Sequence, residues 1–368
     1  MPTRLPAKST PPQATAGAPP WTRRRLWWGL QLFVVSTLAA FGFLSVQGEL
    51  RGNLHLLVAM PLPVLALALV LSGLDVFLGG LRIWVLTRAF GGAITLVTAN
   101  VANAANIFLG GITPSQTGGG AAQLYIMMRA GLSFRVASVA SVVGFLGTVV
   151  ALLGGGSVVA LLRPGFAFPA GFRLFSAGTV SLFAAVLLVF LVAIPVSGKR
   201  SGWLHSALGR VPALGRRVAR SPRLLQFERT LADFAALVHE GGREQREWIA
   251  VGFALSALIY LNKFLLAWIV LRGLGLDPRL TDVLYLQVVQ YLVMYFAPTP
   301  GASGVAELAA ARIMSPVVPD SHFTAYVLLW RTFTLYAPMV AGGLLLLREA
   351  VRAAPPAGAA ARPPGAVA

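Results

Sequence analysis

Apolar residues gather into long uninterrupted blocks along this chain, and the polar residues fall between them. Blocks at 26–46, 56–81, 136–162, 174–196, 248–271 and 323–347 each approach or exceed the roughly 20 apolar residues that a helix needs to cross a hydrocarbon core. The pattern predicts an all-α polytopic membrane protein with about six full transmembrane helices. Two stretches interrupt it: TPSQTGGGAAQLYIMM at 113–128 and TPGASGVAELAAARIM at 299–314, both rich in helix breakers and polar side chains.

Composition agrees with the blocks. The chain is 57% hydrophobic and 11% charged, against about 25% charged in ordinary soluble domains. Cysteine is absent, and the four histidines, His55, His205, His239 and His322, are scattered. This excludes a disulfide or thiolate nucleophile, and no metal site or cofactor is expected. The first block follows WTRRRLWW without a small-residue cleavage site, so it reads as an uncleaved first span. Residues 1–25 and 349–368, rich in Pro and Ala, read as disordered tails around a transmembrane domain at 26–348.

The formal charge of +18 records topology rather than nucleic-acid binding, because the cations lie between hydrophobic spans. Arg23, Arg24 and Arg25 place the N-terminus in the cytoplasm. The basic loop at 197–247, with ten Lys/Arg against five acids, belongs on the same side. The spans at 26–46 and 56–81 return the chain to the cytoplasm near Arg82 and Arg88. The two clear spans from there to the basic loop, 136–162 and 174–196, make one round trip, so residues 94–132 must start and finish in the cytoplasm. After Pro114 the chain reaches Arg129 in 15 residues, too few for a second crossing at 1.5 Å per residue. A re-entrant helical hairpin satisfies both constraints. Parity makes residues 280–322 a second hairpin, entered from outside. Cytoplasmic segments then hold 22 Lys/Arg, Arg82 and Arg88 among them, and external segments 5. Both termini are expected in the cytoplasm.

The two interrupted stretches match each other at an offset of 186 residues, sharing T-P-x-x-[ST]-G. Each half, about 56–162 and 248–348, becomes span, hairpin, span, in an inverted-topology repeat of the kind that places broken helices around a midplane substrate site. Proline removes a backbone donor, and glycine lets the backbone approach a guest closely. A packing role for the small residues is the alternative. Candidate substrate- or lipid-binding residues are Thr113, Thr117, Gly118, Gln123, Thr299, Ser303, Gly304 and Glu307, with Lys263, Arg331 and Tyr336 beside them.

Ionisable residues inside apolar spans mark function by default. Lys263, Arg312 and Arg331 lie near Glu307 in this arrangement and suit a phosphate; alternatively Glu307 and Arg331 form a structural ion pair and Arg312 snorkels to the interface. Asp75 precedes Arg82 by one heptad, so the two read as a coupling site or structural ion pair. Tyr336 and Pro338 predict a kink in the last span. In the central loop, residues 222–239 carry helical periodicity and read as an amphipathic surface helix or a solvated connector.

TPSQTGGGAAQLYIMMRAGLS at 113–133, APTPGASGVAE at 297–307 and LLWRTFTLYAPMVAGG at 328–343 resemble the lysylphosphatidylglycerol synthase transmembrane (flippase-like) family. The resemblance implies a bacterial or archaeal cytoplasmic-membrane protein that moves or binds an anionic or aminoacylated phospholipid or related lipid between leaflets. A stand-alone member is expected, since only residues 349–368 follow the last span and the family's cytosolic aminoacyltransferase domain has no counterpart. Transport rather than catalysis is expected, with membrane phospholipids as partners and a separate lipid-modifying enzyme as a possible second one. The rival readings are a lipid-presenting subunit or enzyme of membrane-lipid modification, with Glu307 as the one candidate base, and a small-solute or ion transporter. Other members' links to hopanoid, glycolipid and polyprenyl-phosphate pathways leave the lipid open.

Overall fold

The computed structural model describes residues 23–47, 55–162, 245–295 and 297–353, with isolated positions between 181 and 236. Apart from those positions, the expected span at 174–196 and the amphipathic segment at 222–239 lie outside the described residues, as do most of the two tails. Every regular element among the described residues is helical. Helix α1 covers Arg23–Gln47, α2 Leu62–Ala89, α3 Leu96–Ile112, α4 Thr117–Arg129 and α5 Phe134–Leu162. The second half contains α6 Arg246–Gly273, α7 Leu280–Tyr295, α8 Val305–Ile313, α9 Asp320–Arg331 and α10 Ala337–Ala353. Leu62–Ala89, Phe134–Val158 and Arg246–Gly273 are, among the described residues, long and apolar enough to cross a membrane.

Shifting the first half by 186 positions lays α2 on α6, α3 on α7 and α4 on α8, each boundary agreeing within three residues, and starts α5 where α9 starts. Between the paired short helices, the turn Pro114–Gln116 falls on the turn Pro300–Ala302. The correspondence reaches the backbone dihedrals. Ser115 and Gln116 have φ of 49° and 55°, and their counterparts Gly301 and Ala302 have 55° and 57°. Each turn closes with an N–H donated to the carbonyl of its proline, from Thr117 to Pro114 and from Ser303 to Pro300. Two successive left-handed residues reverse the chain tightly, as in a type I′ turn. Three of the four are not glycine, and each such residue costs about 1–3 kcal/mol that the surrounding packing must offset.

Helix lengths separate these pairs from the long helices. At 1.5 Å per residue, the 17 residues of α3 rise about 25 Å, and the 9 of α8 about 14 Å. Both fall short of a hydrocarbon core of about 30 Å. Helices α3 and α4 fold back on one another, α2 lies along α6, α10 lies along α3, and the two left-handed turns touch.

The main core joins the second half to α2 and α5, around Leu271, Leu286, Tyr326 and Trp330. A second cluster sits where Leu86 of α2 meets Ala99, Met127 and Val143, and a third where Phe33 meets Leu109, Ile112 and Met339. Large apolar side chains such as Leu62, Leu69, Val70 and Leu344 face outward, where a membrane supplies the apolar surroundings. The kink predicted near Pro338 takes the form of a π turn at Thr332–Tyr336 between α9 and α10, in which the Ala337 N–H reaches back five residues to the Thr332 carbonyl. Pro338 has no N–H with which to continue the α-helical ladder, and widening the turn absorbs the missing donor.

Candidate functional site: a polar cavity beside the paired turns

Thr113 shows how a broken helix is made tolerable in an apolar setting. Its hydroxyl donates to the Leu109 carbonyl at 2.6 Å and accepts the Gly118 N–H at 2.9 Å. One oxygen thus satisfies the freed end of α3 and caps the start of α4. In the second turn Thr299 Oγ1 is buried without a hydrogen-bond partner, and the cap comes from Glu307, whose Oε2 accepts the Gly304 N–H at 2.7 Å. Gly304 makes the entry into α8 at φ 84°. Ser303 is buried and accepts a hydrogen bond from Thr37 of α1 at 3.0 Å.

The three glycines of the first motif have three surroundings. A Cβ at Gly118 would meet the Thr113 side chain at 2.7 Å, and one at Gly119 the Asn106 carbonyl oxygen at 2.7 Å. A Cβ at Gly120 would meet nothing within 4 Å. Two glycines therefore let α4 press against α3, and the third leaves open space.

That space belongs to a cavity of about 340 Å³ lined by groups from α2 to α7, including Asp75, Arg82, Asn106, Gln123, Tyr260 and Lys263. A second cavity of about 170 Å³ continues toward Gly301 and Arg331 and shares Asn106, Gln116, Lys263 and the tyrosines Tyr260 and Tyr295 with the first. Gln123 is held between Asn106, which donates to its Oε1 at 2.6 Å, and Ser141, which accepts from its Nε2 at 2.8 Å. The Tyr260 and Tyr295 hydroxyls are hydrogen-bonded at 2.7 Å.

Among the described residues, three cations line the joined cavities. Arg331 is almost wholly buried and donates from Nε to Glu307 Oε1 at 2.7 Å and from Nη2 to the Gly301 carbonyl at 3.0 Å. Lys263 pairs with Asp75 Oδ2 at 2.6 Å. Arg82 has no carboxylate among the described residues; its Nη1 donates to Thr148 Oγ1 at 3.0 Å, Ser256 Oγ at 3.2 Å and the Gly144 carbonyl at 3.4 Å.

Several expectations change here. Asp75 pairs with Lys263 of α6 rather than with Arg82, because α6 packs along α2 and brings a lysine closer than the residue one heptad away on the same helix. Arg82 does not belong to the cytoplasmic loop; it lies inside α2, seven residues before Ala89, turned toward α5 and α6. Arg312 is exposed on α8 and stays out of the cluster. Of the residues singled out from sequence, Asp75, Arg82, Gln123, Lys263 and Arg331 line the cavities. Thr113, Gly118, Ser303, Gly304 and Glu307 build the turns behind them, and Thr117 is exposed and donates to the Pro114 carbonyl at 3.0 Å. Tyr336 sits on the π turn, edge-on to Phe33 with centroids 6.1 Å apart.

Sequence reasoning passed over Asn106, Thr148, Ser256, Tyr260 and Tyr295. A signal for the first was present: Asn100, Asn103 and Asn106 recur at three-residue spacing in an otherwise apolar helix, and an amide in such a place needs an internal partner.

Long apolar helices, with their polar and charged groups gathered between them, define an α-helical membrane protein. A family model described as the lysylphosphatidylglycerol synthase TM region matches residues 27–342, and the chain belongs to this family. No curated protein matches it.

Proposed function

We propose that this protein is a lipid translocase of the bacterial or archaeal cytoplasmic membrane, moving a phospholipid or related lipid between leaflets without forming or breaking covalent bonds. The observation that carries the reading is the polar, cation-bearing cavity beside the contact between two equivalent left-handed turns. The family supports a lipid as cargo, because its description concerns a phospholipid. A head group occupies the cavity while its acyl chains stay among the outward-facing leucines and valines. Desolvating the phosphate is offset by the cations and amides of the lining.

In this reading the short pairs α3–α4 and α7–α8 are re-entrant hairpins entering from opposite sides, within about six full spans and an inverted repeat, with both termini cytoplasmic. Alternation of the two halves exposes the cavity to each leaflet in turn. A separate enzyme supplies any modified lipid.

Reconstitution into vesicles containing acyl-labelled phospholipid, with quenching of the outer leaflet, tests transport. Protein-dependent loss of protected label is expected, and Gly120→Trp, filling the open space, should block it. Quenching no faster than in protein-free vesicles would sink the reading. Orientation is open to a separate test, because the chain has no native cysteine. Single cysteines at Gly91 and Gly131 should resist an impermeant thiol reagent in intact cells, whereas those at Gly275 and Ser315 should react.

A further inference from the structure

We infer that Arg82 is the phosphate-reading group of this cavity, and that the cavity takes a singly anionic phosphate head group in preference to an aminoacylated, net cationic one. The inference rests on the translocase reading for the source of the phosphate, but its geometry stands independently.

The charge balance comes first. Of the three cations that line the joined cavities among the described residues, Lys263 is neutralised by Asp75 at 2.6 Å and Arg331 by Glu307 at 2.7 Å. Arg82 has no such partner among the described residues, although it lies within a 28-residue apolar helix that reads as a span. An uncompensated guanidinium there is costly, and a mobile counter-anion removes the cost. The nearest carboxylate along its own helix, Asp75, is already engaged by Lys263.

Geometry then selects the kind of anion. The three acceptors on Nη1 come from two helices, Gly144 and Thr148 on α5 and Ser256 on α6, and they fix the guanidinium plane. Ser256 is itself tied to the Gly252 carbonyl at 3.0 Å. Nε and Nη2 have no partner among the described residues, and Arg82 lines the larger cavity. Those two N–H groups point along one edge in parallel, the fork that matches two oxygens of a phosphate. Gly120 lines the same cavity, and a Cβ placed there would meet nothing within 4 Å, so that side of the approach is clear.

The same balance disfavours an aminoacylated head group. A lysylated head group carries one phosphate charge and two ammonium groups, so it enters a cavity of net positive charge as a cation. Asp75 is the carboxylate that lines the cavities among the described residues; its Oδ1 is buried and its Oδ2 already holds Lys263, and one carboxylate does not offset two ammonium groups.

The test uses the full chain in phosphatidylcholine vesicles carrying trace acyl-labelled phosphatidylglycerol, phosphatidylcholine or lysyl-phosphatidylglycerol. Wild type is compared with Arg82→Gln and with Arg82→Lys, which keeps the charge and loses the fork. Inorganic phosphate binding to the detergent-solubilised protein is measured alongside by calorimetry. Phosphatidylglycerol should move fastest, by about tenfold or more over the lysyl form, and Arg82→Gln should remove about tenfold of that rate. Arg82→Lys should fall between, and it carries the comparison if the glutamine variant does not fold. Equal rates for the lysyl form, or an unchanged phosphatidylglycerol rate in the folded variants, would overturn the inference while leaving the translocase reading intact. No lipid movement, with phosphate bound by wild type and lost in the variant, would reject the translocase and keep the anion site for free phosphate. Neither movement nor binding would reject both.

Discussion

Replacing Arg331 with methionine separates a brace from a substrate-reading group. In the folded protein the Arg331 and Glu307 side chains are 1% and 0% exposed. The guanidinium joins α9 to the second turn at the Gly301 carbonyl and to the start of α8 at the Glu307 carboxylate. Methionine fills most of the space but leaves the carboxylate with only the Gly304 N–H at 2.7 Å. An uncompensated charge of this kind costs about 3–5 kcal/mol, which corresponds to a fall on the order of 10 °C in melting temperature. Adding Glu307→Gln should recover most of the loss, because glutamine keeps an acceptor for Gly304 and removes the charge. Fluorescence-detected size exclusion after a temperature ramp reads both variants. If Arg331→Met melts within about 2 °C of wild type yet transports no lipid, the bracing role is refuted and Arg331 reads substrate instead.

The other predictions concern the first turn and the second ion pair. Gly119→Ala should destabilise the α3–α4 pair by about 1–3 kcal/mol, because its Cβ would lie 2.7 Å from the Asn106 carbonyl oxygen; Gly120→Ala should melt no lower than wild type. Ser115 is exposed at φ 49°, so Ser115→Gly should gain and Ser115→Val lose about 1 kcal/mol in the same assay. Lys263→Met leaves buried Asp75 without a partner and should destabilise by about 3–5 kcal/mol. Asp75→Asn on that background should restore part of the loss, with a coupling of about 1–3 kcal/mol in a double-mutant cycle.

What the sequence determined by itself was whatever local chemistry dictates. Block length set the helical membrane class, and the paired T-P-x-x-[ST]-G breakers at an offset of 186 marked where both turns would fall. Proline forbids the next helical hydrogen bond wherever it sits, so those turns were legible without a fold. The Glu307–Arg331 pair, one of the two arrangements the sequence allows, is the arrangement found. Tertiary structure decided the rest, because a charge finds its partner across helices at a distance set by packing rather than by spacing along the chain. Only the contact of α2 with α6 gives Asp75 to Lys263, and only the junction with α5 and α6 turns Arg82 onto Thr148 and Ser256. The same packing sorts Gly118 and Gly119, which wedge two helices together, from Gly120, which opens on the cavity; three identical letters in a row carry no record of which neighbour each will meet.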